Sequence, residues 1–300
     1  MNRLESMALF VAVVDEGGFA AAARKMKISP PVVTRAISEL EAVMGVRLLT
    51  RTTRVVRVTD VGARYAEDCR RVLADIAEME DLASGSHGSV RGRLVVTASA
   101  LFGRMYVTPV VMKYLRTYPD AEVECRFNDR VVNMMDEGVD VAIRIGQLQD
   151  SSYQAIPVGH VRRVICASPT YLKKHGKPKV PEDLQSHVII SANGVTPSPN
   201  WQFSKADISK VVRVHPRLTV MSNDAAIVAA LDGFGVTQVL SYMVAPHLSD
   251  GRLVEILREH QTGVLPVHLM HHEGRHAARK VRAFLDLAVH ELRGGDAVSN

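Results

Sequence analysis

The sequence predicts a multidomain α+β chain: an all-helical N-terminal region with a short two-stranded ribbon, one long helix, and an α/β region of about 200 residues. Three observations carry that expectation. Apolar residues recur every three or four positions through the first ninety residues. Ser84-Gly-Ser-His-Gly-Ser89 then interrupts the pattern as the clearest linker in the chain. From Arg93 onward, short apolar runs alternate with helical segments. At 300 residues the chain also exceeds the usual single-domain range of roughly 100–200.

In the N-terminal region, Leu4, Ala8, Phe10, Val11 and Val14 mark the inward face of a first helix that stops at Gly17-Gly18. Phe19 to Met26 is a short alanine-rich helix of high intrinsic propensity. Ser29 precedes two prolines, which pushes it to the extended conformation of an N-cap. Pro30 and Pro31 in the first turn lose only N–H groups that have no helical partner. The third helix points Val33, Ile37, Leu40 and Met44 inward and closes at Gly45. Val46–Leu49 and Val55–Val58 flank Arg51-Thr-Thr-Arg54, a two-stranded wing with arginines at its tip. Thr59 caps a long helix to about Ala83, on which Tyr65, Cys69, Val72, Ile76, Met79 and Ala83 form an a/d seam. Such a seam either packs into a core or pairs with a second copy of the helix.

In the α/β region Leu94–Thr97 reads as a buried strand, and Pro109 opens a helix that ends at Tyr118-Pro119. Strands follow at Glu122–Phe127, Val139–Ile145, Arg163–Ala167, His187–Ile190, Leu218–Met221, Val236–Val239 and Val267–Met270. Helices are expected at Asp224–Asp232 and from about His276 to Leu292. Repeated βα units with short loops predict largely parallel sheets, with enough chain for two small lobes.

Composition narrows the function. Three scattered cysteines, Cys69, Cys125 and Cys166, make neither a disulfide framework nor a zinc site, and they predict a reducing, cytoplasmic setting. No apolar run is long enough for a signal peptide or a membrane span. The net charge of +5 is mild, but it is unevenly placed. Residues 24–57 hold eight cations against Glu39 and Glu41, whereas 60–81 hold seven acids against three arginines. A basic block that ends so abruptly predicts a polyanion-binding module.

Signatures of catalysis are missing: there is no G-x-S-x-G elbow, no phosphate-cradling G-x-x-x-x-G-K and no G-x-G-x-x-G. Gly233-Phe-Gly235 fails that last pattern. His268, His271, His272 and His276 lack a carboxylate or thiol at ligand spacing, so no metal, cofactor or catalytic residue is expected. The two short helices followed by a wing instead make a winged helix-turn-helix pattern. Opposite its apolar stripe, the helix from Ser29 offers Pro30, Thr34, Arg35 and Ser38 to base edges in a major groove. Arg51 and Arg54 on the wing can reach backbone phosphates or the minor groove.

Phe10 to Arg24, Ile28-Ser-Pro-Pro-Val-Val-Thr-Arg-Ala-Ile-Ser-Glu-Leu-Glu41, Gly45–Arg51 and Val58-Thr-Asp-Val-Gly62 together resemble the N-terminal domain of LysR-type transcriptional regulators. Gly92–Ser99, Asp140–Gly146 and Gly274–Leu285 are similar to landmarks of that family's C-terminal domain, so the resemblance spans the chain. It implies a winged helix-turn-helix domain over 1–59 and a dimerisation helix with linker over 60–90. A two-lobed effector domain, similar to periplasmic binding proteins, would follow over 91–300. Its first lobe would comprise 91–161 and 266–300, and its second 162–265.

The partners implied are double-stranded DNA, a small-molecule effector, and further copies of the chain as a homodimer that commonly associates to a tetramer. Positions matching the family's cleft loops are Ser99, Ala100, Leu101, Gly146, Ser222 and Asn223. Ser99-Ala100 and Ser222-Asn223 each follow a strand and precede a helix, where backbone N–H groups would favour a carboxylate or another acceptor. The alternative is that both serines only cap their helices. Two departures from the family pattern stand out: proline is doubled at Pro30-Pro31, and Leu240-Ser241 stands where a Leu-Pro pair is common.

Overall fold

A computed structural model of the chain describes residues 2–51, 56–83, 89–130, 132–148, 153–192, 199–205, 208–261, 263–272 and 278–294. The chain divides into two compact units, Met1–Gly88 and Ser89–Asn300.

The first unit contains α1 (Arg3–Asp15), α2 (Phe19–Lys25), α3 (Pro30–Met44), β1 (Leu49–Arg51), β2 (Val56–Val58) and α4 (Asp60–Ala83). Asn2 starts α1 through a reciprocal box: Glu5 N–H donates to Asn2 Oδ1 at 2.8 Å, and Asn2 N–H donates to Glu5 Oε2 at 3.1 Å. Gly45 ends α3 at φ +68°, the left-handed conformation expected of it. Thr59 Oγ1 accepts the N–H of Gly62 at 2.9 Å and so caps α4. The antiparallel ribbon pairs Leu49 with Val58 and Arg51 with Val56. Thr52 to Val55, including Arg54, lie outside the described residues, and so does the side chain of Arg51.

Three packing expectations are corrected. The buried face of α1 is Leu9, Phe10, Ala12 and Val13, while Leu4 is exposed and Ala8, Val11 and Val14 are half-buried. Met7 to Val14 is apolar without a break, so periodicity could not choose the face; packing against α3 and α4 did. On α3, Ala36 takes the buried place assigned to Met44, which is half-buried in the last turn. On α4 the seam divides. Cys69 and the neighbouring Ala66 are buried in the unit's own core, and Tyr65 packs on Phe10 with ring centroids 5.7 Å apart. Val72, one turn further on, is exposed. The side chains of Met79 and Ala83 lie outside the described residues.

The second unit runs through β3 (Gly92–Ala98), α5 (Ala100–Phe102), α6 (Thr108–Thr117), β4 (Ala121–Phe127), β5 (Val141–Ile145), β6 (Gln154–Val161) and β7 (Arg163–Ala167). It continues with α7 (Pro169–His175), β8 (Ile189–Ala192), β9 (Asn200–Lys205), β10 (Ile208–Arg213), β11 (Pro216–Val220) and α8 (Asn223–Leu231). It closes with β12 (Val236–Leu240), α9 (Ser241–Ser249), β13 (Val254–Ile256), β14 (Leu265–His271) and α10 (Arg279–Gly294). One five-stranded sheet has the order β4-β3-β5-β14-β6 and the other β11-β8-β12-β7-β13. Each defines a lobe.

The sheets are mixed rather than largely parallel. In the first, β3 lies parallel to β4 and β5, but β14 runs antiparallel to β5 and β6. In the second, β8 lies parallel to β11 and β12, while β7 runs antiparallel to β12 and β13. The reason is the pair of crossings between lobes. The chain passes from β6 to β7 through Arg162 and returns from β13 to β14, so strands enter each sheet in the opposite sense. Arg162 binds both crossings together: its guanidinium grips the carboxylate of Glu255 and donates to Gln261 Oε1 at 3.1 Å.

The helix expected to open at Pro109 begins nine residues earlier, at Ala100. It tolerates the proline because Gly103–Val107 forms a wider π turn immediately before it. Gly103 O accepts from both the amide and, at 3.0 Å, the hydroxyl of Thr108. Gly103 itself has no room for a side chain, since a Cβ would lie 2.3 Å from the ring of Phe127. The hairpin β9–β10, strands β6 and β13, and helices α7 and α9 were not anticipated from the sequence. β9 alternates, with Trp201 and Phe203 buried between exposed Asn200 and Gln202, but in β10 Val211, 59% exposed beside buried Val212, breaks the apolar–polar alternation.

Candidate functional site

α3 has two opposite faces. Val33, Ala36, Ile37 and Leu40 are in the core, while Ser29, Pro30, Pro31, Arg35 and Ser38 are exposed and Thr34 is half-buried. Ser29 takes the extended N-cap conformation, ψ 145°, but its hydroxyl makes no capping bond. The two amides that follow the prolines, Val32 and Val33, both donate to Ser29 O, at 3.1 and 3.4 Å. The first turn therefore offers side chains rather than free amides to a ligand.

Arg35 Nε donates to Glu39 Oε1 at 2.7 Å, one turn along the exposed face. Ser38 Oγ donates to Thr34 O at 2.9 Å. The second acid of the basic block points elsewhere: Glu41 Oε1 accepts the amides of Leu48 and Leu49 at 2.8 and 2.9 Å and ties α3 to the ribbon. Glu39 is thus the block's only acid on the exposed side of α3. Nothing in the spacing of the two glutamates distinguished their roles. Arg24, Lys25, Lys27, Arg47 and Arg57 are exposed as well. Lys25 pairs with Glu16 at 2.8 Å, and that hydrogen bond raises its pKa. A positive surface of this kind neutralises phosphates, and its short polar side chains allow close approach to base edges.

In the second unit a cleft of 420 Å³ opens between the two sheets. Ser99 at the end of β3 and Asn223 at the start of α8 both line it. Neither Ser99 nor Ser222 uses its hydroxyl to cap its helix. Ser99 Oγ and Asn128 Oδ1 are buried with no hydrogen-bond partner, an unusual condition in a folded protein. The hydroxyl of Tyr242, which interacts with Ser99, is buried too, and burial raises its pKa well above the ordinary value. Tyr242 is held edge-on against Phe102 and Tyr106, at 5.2 and 5.7 Å.

The remaining cleft candidates lie elsewhere. Leu101 is buried in the core, because residues two apart on a helix point in nearly opposite directions. Ala100 is exposed, and its amide donates to Asp129 Oδ1 at 3.0 Å. Gly146, at φ +114°, gives its amide to Pro266 O at 2.9 Å, so its role is to join β5 to the return crossing. Ser222 bonds the carboxyl of Asp224 and contributes to holding that group's pKa low. The sequence reading missed three arginines in the cleft wall, Arg130, Arg144 and Arg163. They come from a loop, β5 and β7, segments far apart in sequence. His268 and His271 lie on β14 and His276 lies outside the described residues; no metal-holding group of three occurs among the described residues. No single described helix is long and apolar enough to cross a membrane.

Comparison with known proteins agrees with this geometry. The family model described as bacterial regulatory helix-turn-helix protein, lysR family, matches residues 4–63, and the LysR substrate binding domain model matches 87–293. The probable transcriptional regulator LtrA of Klebsiella pneumoniae is 31% identical over 259 residues, 86% of this chain and 84% of the relative. The uncharacterised regulator YhjC of Escherichia coli is 31% identical, covering 95% of this chain and 96% of its own. Among solved structures, CrgA from Neisseria meningitidis aligns over 97% of this chain and 99% of that one, with 28% identity and a TM-score of 0.63. The full-length Vibrio cholerae virulence activator AphB aligns over 96% and 99%, with 26% identity and a TM-score of 0.62.

Proposed function

Because the chain belongs to the LysR family of bacterial transcriptional regulators, a family of DNA-binding proteins rather than enzymes, we propose a residue-level reading of how it works. α3 enters the major groove with Thr34, Arg35 and Ser38 toward base edges. Ser29, Pro30 and Pro31 approach the backbone, and Arg51 and Arg54 of the wing reach phosphates or the minor groove. The observation that carries this reading is the division of α3 into a core face and an exposed face with Arg35 at its centre.

Assembly follows from α4. Its first half is committed to the core at Ala66 and Cys69, and its second half leaves Val72 exposed, available to a second copy. The working form is a homodimer, associating to a tetramer, acting in the cytoplasm. A small molecule between the two sheets of the second unit modulates DNA binding, held at Ser99 and Asn223. Such a ligand can act only through a difference in affinity for two arrangements of the lobes.

Genomic footprinting of the full chain tests the DNA reading. The expected result is protected two-part sites whose halves repeat on one face of the duplex, about 10 base pairs or a multiple apart. Protection without any preferred sequence would overturn it.

A further inference from the structure

The cleft wall is electrically unbalanced. Among the described residues it carries Arg130, Arg144 and Arg163 against the single carboxylate of Asp129. Arg130 is already satisfied, because its Nη1 and Nη2 donate to the two oxygens of Glu137 at 2.7 and 2.5 Å. Glu137 also attracts Arg144 electrostatically, but among the described residues Arg144 makes no direct ion pair of its own. Among the described residues its half-buried guanidinium donates to a backbone carbonyl, Val132 O, at 3.1 Å. Burial lowers its pKa. Arg163, half-buried on the other lobe, forms no ion pair among the described residues.

A cation partly withdrawn from water without a counter-ion is costly, and an anion placed against it recovers that cost. Here two such cations face one cavity from different sheets, Arg144 on β5 and Arg163 on β7. Between them the wall turns apolar, with Ile143, Ile145, Val239, Leu240 and Met243. That stretch of lining suits a hydrocarbon spacer. The cavity's 420 Å³ lies toward the small end of ligand sites, which run to about 1,000 Å³.

We infer that the cleft takes a small dianion, with two anionic groups joined by a short hydrocarbon spacer, one bound by Arg144 in the first lobe and the other by Arg163 in the second. The inference rests on the reading of the cleft as the ligand site. It adds a reason for lobe coupling: a ligand charged at both ends bridges the sheets, whereas a monoanion satisfies one lobe only. The hydroxyl of Ser99 stands in the same wall and can donate to one of the anionic groups.

The test is calorimetry on the full-length protein at fixed ionic strength, with succinate, glutarate and adipate, their monomethyl esters and their diamides. The expected result is binding by at least one dicarboxylate, about tenfold or more weaker for its monoester and absent for its diamide. Arg163→Gln should bring the dicarboxylate and monoester affinities close to equal while leaving operator binding unchanged. Trp201, the sequence's single tryptophan, lines an adjoining cavity that shares Arg163, so its emission should change as the dicarboxylate binds. Arg144→Gln provides a second variant from the other lobe. Failure of every dicarboxylate to bind, or equal binding by monoester or diamide, overturns the inference. If a diamide binds and Ser99→Trp abolishes that binding, the cleft is a ligand site and only the two-charge inference falls. If Ser99→Trp leaves dicarboxylate binding intact, the cleft reading itself falls.

Discussion

Arg35 and Glu39 form an ion pair one helical turn apart on the exposed face of α3, with Nε to Oε1 at 2.7 Å. Their side chains are 82% and 51% exposed, so the pair holds the helix together weakly, by about 0–1 kcal/mol. In the proposed placement of α3 against DNA, Arg35 would leave Glu39 to contact a base. Arg35→Ala should weaken operator binding by ~1–3 kcal/mol and relax specificity at one base position. Glu39→Gln should tighten binding to all sequences alike, because it removes an acid that faces phosphates. Fluorescence anisotropy across a salt series measures both effects, and unchanged affinity in the two variants would refute the placement of α3.

Assembly is predicted from α4. Ile76 is half-buried in the single chain and absent from the core that holds Ala66 and Cys69. Ile76→Asp should therefore abolish the dimer, since an unpaired charge would have to be desolvated, while leaving the unit folded. Ala66→Asp, by contrast, should unfold it. Analytical ultracentrifugation with circular dichroism separates the two outcomes. An unchanged oligomer in Ile76→Asp would exclude this stretch of helix from the interface.

Ser99 tests the cleft. Its hydroxyl is buried and interacts with that of Tyr242. Ser99→Trp should fill the space between the sheets and give a protein that binds its operator but no longer responds to inducer. A normal response in a reporter strain would show that the ligand sits elsewhere.

Gly62 joins wing and helix. A Cβ there would lie 2.0 Å from Leu48 O, the same oxygen that accepts the amide of Thr59 at 3.0 Å. Gly62→Ala should destabilise the first unit by about 1–3 kcal/mol through overpacking against backbone that cannot move aside. Urea denaturation followed by circular dichroism should show an early transition in the variant. A wild-type midpoint would mean that the ribbon yields.

Much was legible in the sequence where one local rule decided the outcome. Gly45 ends α3 because the left-handed cap favours glycine, and Thr59 caps α4 with the hydroxyl that its residue type supplies. The contrast between the 24–57 and 60–81 charges marked the DNA-binding region for the same reason: charge is a property of residue type and needs no fold to be counted. The inward face of α1 was not legible, because eight consecutive apolar residues satisfy any face.

By itself, the sequence determined the family, the order of the two units, the start and end of most helices in the first unit, and the polar face of α3. Those features depend on residues near one another in the chain, through capping, proline geometry and helical period. Tertiary structure alone decided which glutamate stays on the exposed face of α3 and which is spent on the amides of Leu48 and Leu49. It alone divided the α4 seam between core and exterior, and it alone turned strands expected to be parallel into mixed sheets joined through Arg162. The charge of the cleft belongs with these. Arg130, Arg144 and Arg163 share a wall only because two sheets bring a loop, β5 and β7 together, and a local pattern carries no record of contacts made across such distances.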